Sequence, residues 1–179
     1  FRSGDDFPLD VASVIGNGGD GGTPLDEIEK SWKSLAHPLT HVISIERVGP
    51  SKDGIARNAH AIEMTHYNAP LERLFQGNSW ETIGIGDGGN ELGMGNLPPG
   101  IITEHVRNGE KIACVVGCDY LLVCGVSNWG AQAILAALAL LKPELREALT
   151  AGLTRECDLK ILKDCVNNGP AVSVATWHK

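Results

Sequence analysis

Residues 120–142 read YLLVCGVSNWGAQAILAALALLK, and this stretch decides the fold. Its first seven residues, 120–126, are rich in types that fit a pleated, buried surface, and they predict a strand. Ser127-Asn128-Trp129-Gly130 then breaks the pattern. The alanines and leucines of 131–142 are strong helix formers, and Pro143 stops them. That helix is apolar on nearly every side, so it is expected to be covered on most faces inside a layered structure.

Working outward, the same alternation recurs. Residues 112–116 and 80–85 predict two more strands, with a helix over 101–107 between them. HVISIE at 41–46 predicts another strand. Before it, Pro24 followed by Asp26, Glu27 and Glu29 marks a helix start, and Ile28, Trp32 and Leu35 give that helix an apolar stripe. A helix is expected just after Pro70, with Leu71, Leu74 and Phe75 on one face. Further helices are predicted over 143–151 and 158–166, and a short strand over 171–174. Strands alternating with helices predict an α/β fold, layered, with a largely parallel sheet and flanking helices. The polar, glycine-rich residues 1–24 predict a linker, and 25–179 the domain. The chain opens on Phe1 rather than Met, so a processed or partial chain is expected, from which a targeting segment could have been lost.

Composition narrows the function classes. Of 179 residues, 42% are hydrophobic, enough for a core, and 15 Lys+Arg against 22 Asp+Glu leave a formal charge of −7. Non-specific nucleic-acid binding needs clustered positive charge, so a nucleic-acid partner is excluded. The longest apolar run, 131–141, falls well short of the roughly 20 residues that span a bilayer and contains Gln132, so no membrane association is expected. Five cysteines cannot all pair, and the spacing of Cys114, Cys118 and Cys124 is unlike a zinc ribbon. They read as small buried thiols of a reducing compartment.

The chemistry concentrates in loops. Gly84-Ile85-Gly86-Asp87-Gly88-Gly89 matches G-x-G-x-x-G after a predicted strand, yet Asp87 would repel a pyrophosphate and the residues that follow make a poor helix. Asp87, Asn90 and Glu91 instead offer three oxygen-bearing side chains within five positions, the donor set that Mg²⁺, Mn²⁺ and Ca²⁺ take. A plain turn, in which Asp and Asn bond their own backbone, accounts for the same residues. Glu46, Asp87 and Asn128 would all stand at the carboxyl ends of strands, where ligands bind in parallel α/β sheets. Asp119 would stand at the opposite end. Ser127 or Asn128 would cap the following helix, or its free N–H groups would hold an anion.

These loops also carry a resemblance. Glu46-Arg47-Val48-Gly49-Pro50, Lys52-Asp53-Gly54, Gly86-Asp87-Gly88-Gly89-Asn90-Glu91-Leu92-Gly93-Met94-Gly95 and Gly125-Val126-Ser127-Asn128-Trp129-Gly130 resemble, in order, the hallmark blocks of the D-glutamate cyclase C-terminal domain family. The similarity runs from about Val42 to Val174; the α/β portion expected upstream is absent, which implies an incomplete domain. The resemblance implies a carbon–oxygen lyase that converts D-glutamate to 5-oxo-D-proline with loss of water, acting on a small amino-acid substrate. In mitochondrial members another domain precedes this one. Asp87 or Glu91 is then the expected general base, and Glu46, Asp87, Asn90 and Glu91 the expected ligands of a divalent cation, Mg²⁺ or Mn²⁺. Arg47, Ser127 and Asn128 are expected to orient the substrate carboxylate. The location implied is intracellular and soluble, the mitochondrial matrix in a eukaryote and the cytoplasm in a prokaryote, and a homo-oligomer is compatible. A metal-dependent hydrolase of a phosphate or amide, and a non-catalytic ligand-binding domain of a longer enzyme, are the alternatives.

Overall fold

Pro24 opens α1 (Pro24–Lys33), which carries Asp26 and Glu27 in its first turn and Lys30 and Lys33 in its last, so its charges complement the helix dipole at both ends. The computed structural model describes residues 24–77, 79–98 and 100–168. The glycine-rich opening through residue 23 and the short strand expected at 171–174 lie outside the described residues.

Three strands, β1 (His41–Ile45), β2 (Glu81–Gly86) and β3 (Tyr120–Val123), form a parallel sheet in that order. The register sets Ile45 opposite Ile85 and Ile85 opposite Leu122. Side chains alternate across a strand, so Val42, Gly84 and Leu121 share the other face. That face carries the core, in which Phe75, Leu92, Met94, Ile102, Cys114 and Val116 are buried together, with Val42 and Leu121 packed against them. Helix α2 (Glu72–Phe75) precedes β2 and supplies Leu74 and Phe75 to the interior. Between β2 and β3 lie α3 (Ile101–His105) and α4 (Gly109–Ile112). The fold is α/β, with a parallel sheet and flanking helices.

Residues 112–116 depart from the expected strand. Ile112 ends α4, and the backbone beyond it pairs with loops rather than with a neighbouring strand. The Cys114 N–H donates to the Gly89 carbonyl and the Val115 N–H to the Pro50 carbonyl, while the Val116 carbonyl accepts from Gly93 and Gly95. The alternation that suggested a strand is real, with Cys114 and Val116 buried and Val115 exposed. No ladder forms because each backbone group meets a different loop.

Beyond β3 the helix begins at Ser127, four residues before the expected start: α5 spans Ser127–Leu141. The chain divides inside it into two compact units, one ending at Gly130 and the other starting at Ala131. In the second unit, α6 (Arg146–Thr150) and α7 (Arg155–Asn168) follow. There the Gln132 amide donates to both carboxylate oxygens of Asp158, and Arg146 Nε donates to the Ala139 carbonyl. Of the apolar residues of α5, Ala139 is buried, but Leu135, Leu138, Leu140 and Leu141 are exposed, so the helix is not covered on most faces as its composition suggested. No helix among the described residues is long and apolar enough to cross a membrane.

Candidate functional site

The site grows from two glycines of β2. A Cβ at Gly84 would lie 2.6 Å from the Leu92 carbonyl oxygen, and one at Gly86 would lie 2.9 Å from Glu91 Cβ. Bare backbone at both positions lets residues 91–94 fold back onto the strand they follow. The glycines of the G-x-G pattern therefore make room for their own loop. The loop is tied to the rest of the rim by the Gly49 N–H, which donates to the Asn90 carbonyl, and by the Leu92 N–H, which donates to the Arg47 carbonyl.

That fold-back buries Glu91, which is 3% exposed. Its Oε1 accepts from the backbone N–H of Gly88 at 2.8 Å and of Asp87 at 3.3 Å, and its Oε2 from that of Gly89 at 2.7 Å. Gly89 has φ 91, in the left-handed region that glycine enters freely, and such turns point successive N–H groups at one anion. Glu91 is thus held by three backbone N–H groups and organises the loop.

Glu46 follows the last residue of β1 and, unusually for a residue with a side chain, has φ 55. Its N–H donates to the Ile85 carbonyl at 3.0 Å, which extends the β1–β2 pairing by one step. The Ser127 hydroxyl donates to Glu46 Oε1, which brings the start of α5 to the end of β1. Glu46 is exposed as a residue, yet partial desolvation of its carboxyl above all, with the charges of Asp87 and Glu91 added, pushes that group above its ordinary value, against the opposing pull of the Ser127 hydroxyl. Asp87, exposed just past β2, completes a group in which one carboxylate oxygen from each of Glu46, Asp87 and Glu91 lies within 4.8 Å of the others.

The remaining expected residues are placed differently. Asn90 is buried, and its amide nitrogen donates to the Arg57 carbonyl at 2.9 Å. Its Oδ1, like Glu91 Oε1, lies 3.0 Å from where a Cβ on Gly88 would stand, so the two oxygens face one small space. Asn128 is exposed at the second position of α5. Arg47 follows Glu46 in sequence but serves other surroundings: its Nη2 donates to the Ala69 carbonyl at 2.5 Å, and the acid whose charge acts on it is Glu72. Burial holds its guanidinium below the usual value.

Two other acids are structural. Asp119 Oδ2 accepts from the N–H and the hydroxyl of Thr82, each at 2.7 Å, and pins the start of β3 to β2. Asp53 accepts a two-pronged contact from Arg57 together with the Ser51 hydroxyl and the Ile55 N–H, which holds its carboxyl far below the usual range. The cysteines stay free, and burial pushes the Cys114 thiol up to about 11, so it remains protonated and inert. Sequence reasoning missed Ser44, a polar residue within an apolar strand whose hydroxyl is buried without a partner. Its signal was there, a serine between two isoleucines.

Three carboxylates at the carboxyl ends of neighbouring parallel strands, Glu91 clamped by amides and Glu46 and Asp87 exposed, form a rim suited to a small cation or a substrate amine. The comparisons with known proteins agree with the loop motifs. D-glutamate cyclase, mitochondrial, of Homo sapiens is 40% identical to this chain over 105 residues. That match covers 56% of the chain and 17% of the human protein, so the chain spans only a small part of the relative's length. The family model described as D-glutamate cyclase-like, C-terminal, matches residues 14–179, and the chain belongs to that family.

Proposed function

We propose that this chain is the carboxylate-bearing domain of a D-glutamate cyclase-like carbon–oxygen lyase, which closes D-glutamate to 5-oxo-D-proline with loss of water. The observation that carries the reading is the convergence of Glu46, Asp87 and Glu91 within 4.8 Å, and the family match and the human relative's name support it. The substrate ammonium must lose a proton before its nitrogen can attack the γ-carboxyl carbon. Asp87, exposed and without the amide partners that hold Glu91 or the Ser127 hydroxyl that holds Glu46, is the general base. As the C–N bond forms and the C–O bond breaks, the nitrogen gives up two protons and the departing oxygen gains two as water. The start of α5 and the Asn128 amide orient the α-carboxylate.

Glu46, Glu91 and the Asn90 Oδ1 would hold a divalent cation, with Asp87 beside it. All are oxygen donors, and the space that a Gly88 Cβ would fill lies between two of them. A bound Mg²⁺ or Mn²⁺ supplies Lewis-acid polarisation of the γ-carboxyl group. The location proposed is the mitochondrion, after the name of the human relative.

The short span of the match to the human protein favours one second reading: a ligand-binding domain whose catalytic groups lie elsewhere in a longer chain. Incubation of this chain with D-glutamate and Mg²⁺ or Mn²⁺, followed by chromatography for 5-oxoproline, decides between them. Turnover that Asp87→Asn abolishes supports the lyase. Saturable D-glutamate binding without product supports the second reading, and metal-dependent cleavage of a generic phosphoester without D-glutamate turnover would replace both with a hydrolase.

A further inference from the structure

Among the described residues the sheet ends at β1 on one side, and beside that strand lies a cavity of about 260 Å³. Its walls are mostly apolar, with Trp32 from α1 and Leu71, Leu74 and Phe75 from the α2 segment. Two polar groups interrupt them, Ser44 and Arg47. Ser44 is 8% exposed, and both its Oγ and Arg47 Nε are buried without a hydrogen-bond partner. Native interiors rarely leave such atoms unpaired. Arg47 spends its Nη2 on the Ala69 carbonyl and forms no contact ion pair among the described residues, although the charge of Glu72 reaches it.

A hydroxyl and a guanidinium N–H on one apolar cavity match a carboxylate attached to a hydrocarbon body. We propose that this cavity binds a small amphiphilic monocarboxylate, its carboxylate on Arg47 Nε and Ser44 Oγ and its hydrocarbon among Trp32, Leu71 and Leu74. At roughly 30 Å³ for each water-sized unit, the volume suits a ligand of about eight to ten non-hydrogen atoms. A dicarboxylate is refused, because its second charge would be buried among apolar walls without a partner. The site shares no residue with the Glu46–Asp87–Glu91 group, so it stands or falls independently of the lyase reading.

The test titrates the chain with phenylacetate and with its neutral analogue 2-phenylethanol, following the Arg47 Nε–H and Trp32 indole resonances by NMR and the affinity by calorimetry. Phenylacetate should saturate with a Kd on the order of a millimolar or below. The alcohol should bind at least about tenfold more weakly, as the loss of a charge-assisted contact requires. Arg47→Gln and Ser44→Ala should each weaken phenylacetate by roughly tenfold and leave the alcohol unchanged. Should Arg47→Gln not fold, the small change Ser44→Ala decides alone. Equal binding of acid and alcohol, unaltered affinity in a folded variant, or no saturable shift at about ten millimolar overturns the proposal.

Discussion

The hydroxyl of Ser127 donates a hydrogen bond to Oε1 of Glu46, across 81 positions of sequence. It is the link between the end of β1 and the start of α5, and Ser127 is 1% exposed, so water cannot replace it. Ser127→Ala should lower stability by about 1 kcal/mol, the usual net value of such a bond. It should also move the Glu46 carboxyl further up, because the hydroxyl is the group that pulls it down. Chemical denaturation, with carboxyl titration by NMR, reads both effects.

Glu46 also gives the protein a pH signature. Its carboxyl lies above the ordinary value of 4.5 in the fold, so over the window between the two values the folded chain keeps a proton that the unfolded chain releases. Stability therefore falls as pH rises through that window, and the loss is complete above it. Glu46→Gln should flatten this fall, raising Tm relative to the parent at about pH 7 but not at about pH 4. Identical Tm profiles for the two proteins would refute the assignment.

Glu91 should behave as a structural acid. Glu91→Gln replaces one acceptor oxygen by an NH₂ group that faces backbone N–H donors inside a buried loop. A loss of about 1–3 kcal/mol is expected, the cost of leaving a buried donor unpaired. Amide exchange at Gly88 and Gly89 should accelerate together, because the same carboxylate holds both.

Sequence revealed the sheet more readily than the site. β1 and β2 lie within a residue of their expected ends because their apolar types and flanking turns are local signals. Residues 112–116 carried the same signal and formed no strand, since pairing depends on what lies alongside, and Pro50, Gly89 and the loop at 93–95 lie there. The exposed leucines of α5 show the same limit: composition fixes a helix but not what covers it. At the rim, Glu46 and Asp87 stood at strand ends in the pattern alone. The amide clamp on Glu91 and the departure of Arg47 from its neighbour could not be seen there, because both depend on how backbone far apart in sequence folds together.

Gly84 tests the fold-back directly. A methyl group there would meet the Leu92 carbonyl oxygen at 2.6 Å and Gly93 Cα at 3.0 Å, both backbone atoms that cannot swing aside. Gly84→Ala should therefore cost about 1–3 kcal/mol by overpacking and loosen the whole rim. A Tm equal to that of the parent would mean that residues 91–94 do not close on β2 as described.

Gly88 tests cation binding at the rim. A methyl group there would stand 3.0 Å from both Asn90 Oδ1 and Glu91 Oε1, in the space between them, without a backbone clash. Gly88→Ala should abolish the rise in melting temperature that Mn²⁺ or Mg²⁺ produces by mass action on the folded state, and it should also lower the melting temperature of the cation-free protein, because the two buried side chains it crowds are held by hydrogen bonds. Asp87→Asn should remove much of that rise by a different route, the loss of one charge from the group of three. If millimolar-order Mn²⁺ and Mg²⁺ leave the parent Tm unmoved, the rim holds no cation, and Asp87 acts on the substrate amine alone.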